Sequence, residues 1–415
     1  MNQSFELAKE QYREAGVDVE SALTTLARTP ISLHCWQGDD VVGFESGTFV
    51  RNSGCLTTGN YPGRATTPDE LRLDLEMAKK LVPGVKRLNL HASYVDTPES
   101  PERDELEVKH FLPWLQWAQE HEFGLDFNPT CFDHPMAGTG FTLSHKDESV
   151  RHFWIDHCIA CRKVAAEMGE RLQNPVVTNI WIPDGYKDIP YDRDGPRERL
   201  ENSLDSILAA NVSKKWNIDA IESKLFGIGV ESYTVGSHEF YLGYAVKHQT
   251  CLCLDSGHFH PTESVSDKIS SVLRFVPRIL THVSRGVRWD SDHVVLLDDP
   301  TKAILEEIVR ADALERVHLG LDFFDASINR IAAWTIGARA TQKALLIALL
   351  EPGEQLRAYE REEDFTSRLA LLETCKTLPW GLVWEEYCRR QNVPGERHWM
   401  NEVKHYEQEV LSRRN

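Results

Sequence analysis

Short apolar runs alternate with amphipathic stretches along most of this chain. Residues 5–28 place Phe5, Leu7, Ala8, Tyr12 and Ala15 at helical spacing, with an interruption near Gly16. Residues 31–36 (ISLHCW) form an apolar run of strand length, and 69–81 is amphipathic again. The alternation then repeats. Strands are predicted at 86–94, 124–128, 175–183, 218–225, 249–254, 279–284 and 316–322. Helices are predicted at 101–121, where Trp114 and Trp117 face inward, and at 146–172, 196–211, 237–248, 264–276, 299–311 and 328–350. Eight strands, each followed by a helix, require parallel pairing, because every helix returns the chain to the edge it left. The pattern predicts an α/β fold, a (β/α)8 TIM-type barrel over residues 1–350 that includes the N-terminal helix. Residues 351–415 are charged, with Leu and Trp at helical spacing, and predict a C-terminal helical extension lying on this or a neighbouring subunit.

A doubly wound nucleotide-binding sheet is the competing architecture. Its GxGxxG fingerprint is missing after the first strand, Gly227-Ile-Gly229 lacks the third glycine, and no GxxxxGK[ST] occurs. Residues 37–65 hold no predicted element and carry Gly38, Gly43, Gly47, Gly54, Gly59 and Gly63. A segment of that length reads as a cover for a site or as a surface insertion.

Composition narrows the partners. With 64 acidic against 46 basic residues the formal net charge is −18, a surface that repels phosphate backbones and argues against nucleic acid. A small neutral ligand or a cation suits it. No apolar run is long enough to span a membrane, and the polar N-terminus is unlike a signal peptide. The nine cysteines are odd in number and scattered, as in a reducing cytosol, and Cys158-x-x-Cys161 falls on a predicted helix with no second pair nearby. These features predict a cytoplasmic location.

In a barrel of this kind the chemistry gathers at the C-terminal ends of the strands. There the second strand presents His91 and the fourth Trp181. The fifth presents Glu222 and Lys224, two residues apart and so on one face. The sixth ends in Asp255, followed by a Ser-Gly turn and His258. The seventh presents His282, with Asp290 and Asp292 in its loop, and the eighth Asp322. Five carboxylates converging on one buried rim repel one another unless cations neutralise them. The donors suffice for two divalent ions. Oxygen and nitrogen ligands favour Mn²⁺, with Co²⁺, Zn²⁺ or Mg²⁺ as alternatives. Each residue also has an ordinary reading. Glu222 and Lys224 form an ion pair, Asp290 and Asp292 cap a turn, His91 and His282 are core histidines, and Trp181 is core.

GLDFNP, NIWIPDG, ESKLFGIG, CLDSGHFHPTE, THVSRGVRWDSDHVVLLDD and GLDFFDASINRIAAW resemble motifs of the L-rhamnose isomerase family, one of the xylose-isomerase-like barrels. The similarity runs from LHCWQGDDVVGFE through the C-terminal helices. It implies an aldose–ketose isomerase that interconverts L-rhamnose and L-rhamnulose using Mn²⁺, often with a second divalent ion. By this resemblance Glu222, Asp255, His282 and Asp322 hold one ion. His258, Asp290 and Asp292 hold the other, with Asp255 bridging. Lys224 lies beside the reacting carbons, His91 faces the ring oxygen or O5, Trp181 packs against the sugar ring, and His258 lies within reach of the substrate. Asp322, Lys224 and His91 are the expected catalytic groups. A homotetramer follows from the resemblance alone. With most carboxylates committed to metal, a hydride shift between C1 and C2 is favoured over an enediol. The readings left in competition are another sugar isomerase on the same barrel, a metal-dependent endonuclease, and a non-catalytic metal- or sugar-binding protein.

Overall fold

The computed structural model describes residues 3–45, 57–226, 229–288 and 292–414. The N-terminal amphipathic stretch is two helices, α1 (Gln3–Glu14) and α2 (Val19–Arg28). They part at Gly16, whose φ of +80° suits glycine, and Asp18 caps α2 by accepting from the amides of Glu20 and Ser21. Eight strands follow: β1 (Ile31–His34), β2 (Lys86–His91), β3 (Gly124–Asn128), β4 (Val176–Ile180), β5 (Asn217–Glu222), β6 (Cys251–Asp255), β7 (Ile279–Val283) and β8 (Val317–Leu321). All neighbouring pairs are parallel, in the order β3-β2-β1-β8-β7-β6-β5-β4. The helices between them are α3 (Pro68–Leu81), α4 (Leu112–Glu120), α5 (Glu148–Leu172), α6 (Asp194–Ala209), α7 (His238–His248), α8 (Ser266–Val272), α9 (Asp299–Arg310) and α10 (Arg330–Leu349). This is the predicted barrel.

The seam between β3 and β4 is built differently from the other seven junctions. Side chains of β3 stand in for backbone acceptors: Asp126 Oδ1 accepts from the Val177 amide at 2.9 Å, and Asn128 Oδ1 from the Asn179 amide at 3.1 Å. Arg87 braces the lower end, paired with Asp126 at 2.9 Å and donating to Asn174 Oδ1 and the Pro175 carbonyl.

One large apolar core lies between the barrel's outer face and its helices. A separate small one, of Val177, Ala220, Cys251, Cys253 and Leu280, plugs the barrel interior. Above that plug the inward positions are polar, which is where the chemistry sits. Trp114 and Trp117 are buried as predicted. Cys158 and Cys161 are buried on α5, with Cys158 Sγ 3.9 Å from Cys131 Sγ.

The strands expected at 86–94 and 175–183 end earlier, at His91 and Ile180, and two further departures have a visible tertiary cause. The helix predicted over 101–121 is two short 3-10 turns, Arg103–Glu105 and Val108–Phe111, before α4. Arg103 is drawn inward to pair with Glu45 and to donate to the carbonyls of Thr130 and Phe132, while Pro113 starts α4 in its first turn. The fifth strand ends at Glu222 and not at 225, because the Lys224 amide turns away to the Gly236 carbonyl.

The C-terminal extension is four helices, α11 (Gly353–Arg361), α12 (Phe365–Cys375), α13 (Trp380–Arg390) and α14 (Trp399–Glu409). It packs back on its own chain. Arg390 pairs with Glu20 at 2.6 Å, Tyr406 donates to Asp74 at 2.8 Å, and Arg414 pairs with Asp74 at 2.6 Å. α12 has no buried residue. Among the described residues no helix is long and apolar enough to cross a membrane.

Candidate active site

Strand register brings Glu222, Asp255, His282 and Asp322 to one level at the C-terminal mouth: Asp255 lies opposite His282, and Asp322 directly follows the last residue of β8. Their donor atoms lie within 4.8 Å of one another. His282 Nδ1 is the hub, 3.3 Å from Glu222 Oε2, 3.6 Å from Asp255 Oδ2 and 3.1 Å from Asp322 Oδ2.

Asp255 and Asp322 each have one oxygen tied and the other turned inward, whereas Glu222 meets His282 through the oxygen that Asn179 holds. Asp255 Oδ1 accepts from the Gly257 amide at 2.6 Å and Ser284 Oγ at 3.1 Å. Asp322 Oδ1 accepts from Trp36 Nε1 at 3.0 Å, and Glu222 Oε2 from Asn179 Nδ2. Asp255 Oδ2 and His282 Nδ1 are buried and make no hydrogen bond. Buried polar atoms are ordinarily satisfied. A converging pair that is not, inside a ring of carboxylates, fits a divalent cation of mixed oxygen and nitrogen preference.

The electrostatics agree with the geometry. Burial would raise the Glu222 carboxyl, but the imidazoles of His282 and His258 outweigh it and hold the group well below its usual range. Burial would lower His282, yet Cys253, Glu222, Asp255 and Asp322 lift it well above. Asp255 is raised, first by burial and then by Glu222 and Asp322, against the pull of both histidines. The cluster is short of positive charge.

His258 Nδ1 lies 2.9 Å from the Ser223 carbonyl and 3.0 Å from Glu222 Oε1. A carbonyl only accepts, so Nδ1 carries the proton and Nε2 is the ring's acceptor atom. Gly257 makes room beside it. A Cβ there would stand 2.7 Å from Ser284 Oγ, 3.2 Å from Asp255 Oδ1 and 3.7 Å from Asp292 Oδ1. Asp292 therefore lies near Asp255 and His258 beside Glu222, and neither belongs to the four-residue cluster. Asp290 lies outside the described residues.

The opposite wall is aromatic. Trp36 meets His91 edge-on at 4.8 Å, His91 meets Phe132 at 5.5 Å, and Phe132 meets Trp181 at 5.8 Å. The Lys224 ammonium stands 5.0 Å from the centre of the Trp181 ring. His91 lies 3.2 Å from Thr130 Oγ1. Burial, with Arg103 adding to it, lowers the His91 ring to about 3, so it is neutral at physiological pH. Trp36, Phe132 and Asn179 belong to the site although the sequence singled out none of them. The signal for Trp36 was its position at the end of the first strand, the place that marks the other site residues.

Fold and site together define a (β/α)8 barrel whose mouth carries a carboxylate–imidazole cluster fit for a divalent cation beside an aromatic wall. The family model for L-rhamnose isomerase (RhaA) matches residues 1–414. The L-rhamnose isomerases of Yersinia pseudotuberculosis serotype IB (strain PB1/+) and Yersinia pestis (strain Pestoides F) are each 58% identical over 414 residues, covering 100% of this chain and 99% of theirs. Among solved structures, an L-ribulose 3-epimerase aligns with a TM-score of 0.49 at 11% identity, over 81% of this chain and 97% of its own. A D-psicose 3-epimerase from Clostridium cellulolyticum H10, solved with D-tagatose, aligns at 0.45 and 12%, over 77% and 96%. The chain belongs to the L-rhamnose isomerase family.

Proposed function

We propose that this protein interconverts L-rhamnose and L-rhamnulose by a divalent-metal-assisted transfer of hydrogen between C1 and C2. The observation that carries the reading is whole-chain identity of 58% with L-rhamnose isomerases. The buried four-residue cluster supplies the chemistry. Glu222, Asp255, His282 and Asp322 would hold one ion, and His258, Asp290 and Asp292, together with Asp255, would hold a second. Mn²⁺ is assigned to the centre, with Zn²⁺, Co²⁺ or Mg²⁺ as alternatives at the second position. When bound, the metal supplies Lewis acidity toward the sugar's O1 and O2.

The chain's own groups do the rest. Trp181 receives the apolar face of the sugar. Lys224, held over Trp181, stabilises negative charge developing on O1. Asp322 is the most exposed of the four ligands, at 17%, and Trp36 fixes its orientation. Asp322 would steer the proton that passes between O2 and O1. Neutral His91 assists ring opening. No side chain is assigned to C1–H or C2–H, because the carboxylates at this end are taken by the ions.

The purified protein with Mn²⁺ should form ketose from L-rhamnose, tested beside L-mannose, D-allose and D-xylose. No ketose from L-rhamnose would overturn the reading. In D₂O the hydrogen should stay within the sugar, whereas extensive deuterium at C1 of the product would favour the enediol route. A cytoplasmic homotetramer completes the proposal. The exposed Phe365 and Leu369 on α12 support a subunit contact, and sizing by light scattering tests it.

A further inference from the structure

β6 sends two side chains into the barrel on one face, Asp255 at its end and Cys253 one layer below. Cys253 is fully buried, with a free thiol. Its Sγ, a carboxylate oxygen of Glu222 and a ring nitrogen of His282 lie within 4.8 Å of one another. Donors around one zinc-like ion, at about 2.0–2.3 Å from it, stand up to roughly 4.4 Å apart, so small side-chain shifts close this triangle on a cation. One buried atom of these residues, His282 Nδ1, makes no hydrogen bond.

We propose that the barrel centre offers two alternative cation positions, one strand layer apart. The upper is the oxygen-rich set of Glu222, Asp255, His282 and Asp322. The lower is a thiophilic set of Glu222, Cys253 and His282. Hard ions such as Mn²⁺ and Mg²⁺ choose carboxylates, whereas Zn²⁺ and above all Cd²⁺ gain from sulfur. Both positions use Glu222 and His282, so they cannot be filled together. A thiophilic ion therefore competes with Mn²⁺ instead of adding to it. Its binding converts the Cys253 thiol to thiolate, and the proton leaves to solvent. The inference rests on the cation-binding reading of the mouth and is independent of which sugar reacts.

The test adds Cd²⁺ to the Mn²⁺-loaded protein. It follows thiolate-to-cadmium charge-transfer absorption in the near ultraviolet, together with free Mn²⁺ by electron paramagnetic resonance. The wild type should develop the band in step with release of Mn²⁺. Cys253→Ser should lose the band and require roughly tenfold or more Cd²⁺ for the same release. Cys251→Ser, one turn of the pleat lower, should keep both. Cys253→Ala replaces the serine variant if a hydroxyl beside Val177, Ala220 and Leu280 disturbs folding, and cadmium NMR of the wild type reports sulfur ligation without any substitution. A band that survives loss of the Cys253 sulfur, or Mn²⁺ released with no band, overturns the proposal. A protein that never binds Mn²⁺ fails earlier, at the cation reading itself.

Discussion

Trp36, two residues past the end of β1, reaches the end of neighbouring β8 to hold one oxygen of Asp322, leaving the other to face His282 Nδ1. A hydrogen bond to a charged group contributes about 1.5–3 kcal/mol. Trp36→Phe keeps an aromatic ring against His91 but drops the donor, so kcat should fall roughly 10- to 100-fold with KM little changed. Steady-state kinetics at saturating Mn²⁺ measure it, and an unaltered kcat would remove Trp36 from this role. Lys224→Met should cost several orders of magnitude in turnover while elemental analysis finds the metal still bound. Full activity would mean that the ammonium over Trp181 takes no part in the reaction. The four cluster residues were legible in the sequence because each stands at or close to a strand's C-terminal end, the place the β/α rhythm points to. Trp36 and Asn179 were not. What makes them part of the site is a partner 286 or 43 residues away, and that depends on barrel register.

At the scale of elements, the rhythm of apolar runs located all eight strands, because each is buried on both faces and flanked by an amphipathic helix. It failed where a tertiary bond overrode local preference, as at buried Arg103 and at the turn of Lys224 out of β5. The segment after β1 shows a further such bond. Asp39 is buried and accepts from Tyr94 Oη at 2.5 Å and from the Gly43 amide at 2.7 Å. Burial raises its carboxyl to about 7, against those two hydrogen bonds. Between the unfolded value of 3.8 and about 7 the folded protein keeps a proton that the unfolded chain has released. This contribution to stability is therefore full below about pH 4 and is lost as pH rises through 7. Asp39→Asn should gain on the wild type between pH 5 and pH 8, by up to about 1.4 kcal/mol per pH unit while the native carboxyl stays protonated. Denaturant unfolding of both proteins at the two pH values checks this, and a constant difference would contradict it.

For the whole molecule, the cluster joins β5, β6, β7 and β8, so a bound ion ties half the barrel together. An ion present at a hundred times its dissociation constant adds about 2.7 kcal/mol to stability. Chelation should abolish isomerisation and lower the melting temperature, and Mn²⁺ should restore both. Calorimetry with and without chelator decides it, and an unchanged melting temperature would show that no tightly held ion bridges the strands. The acidic surface, the single β/α series and the separate helical tail were all visible in composition and pattern. The way the barrel closes was not, since apolar periodicity says nothing about which two strands meet through side chains.

That closure makes the barrel a hoop with a clasp. Seven junctions are continuous backbone ladders, and the eighth is fastened by Asp126 and Asn128. Thermal breathing should part the hoop there first, and each opening bares two raw strand edges, the surfaces on which foreign chains stack. Asp126→Ala or Asn128→Ala should therefore shorten the time to visible precipitation at elevated temperature more than it shifts the unfolding midpoint. The two seam side chains would then guard colloidal lifetime.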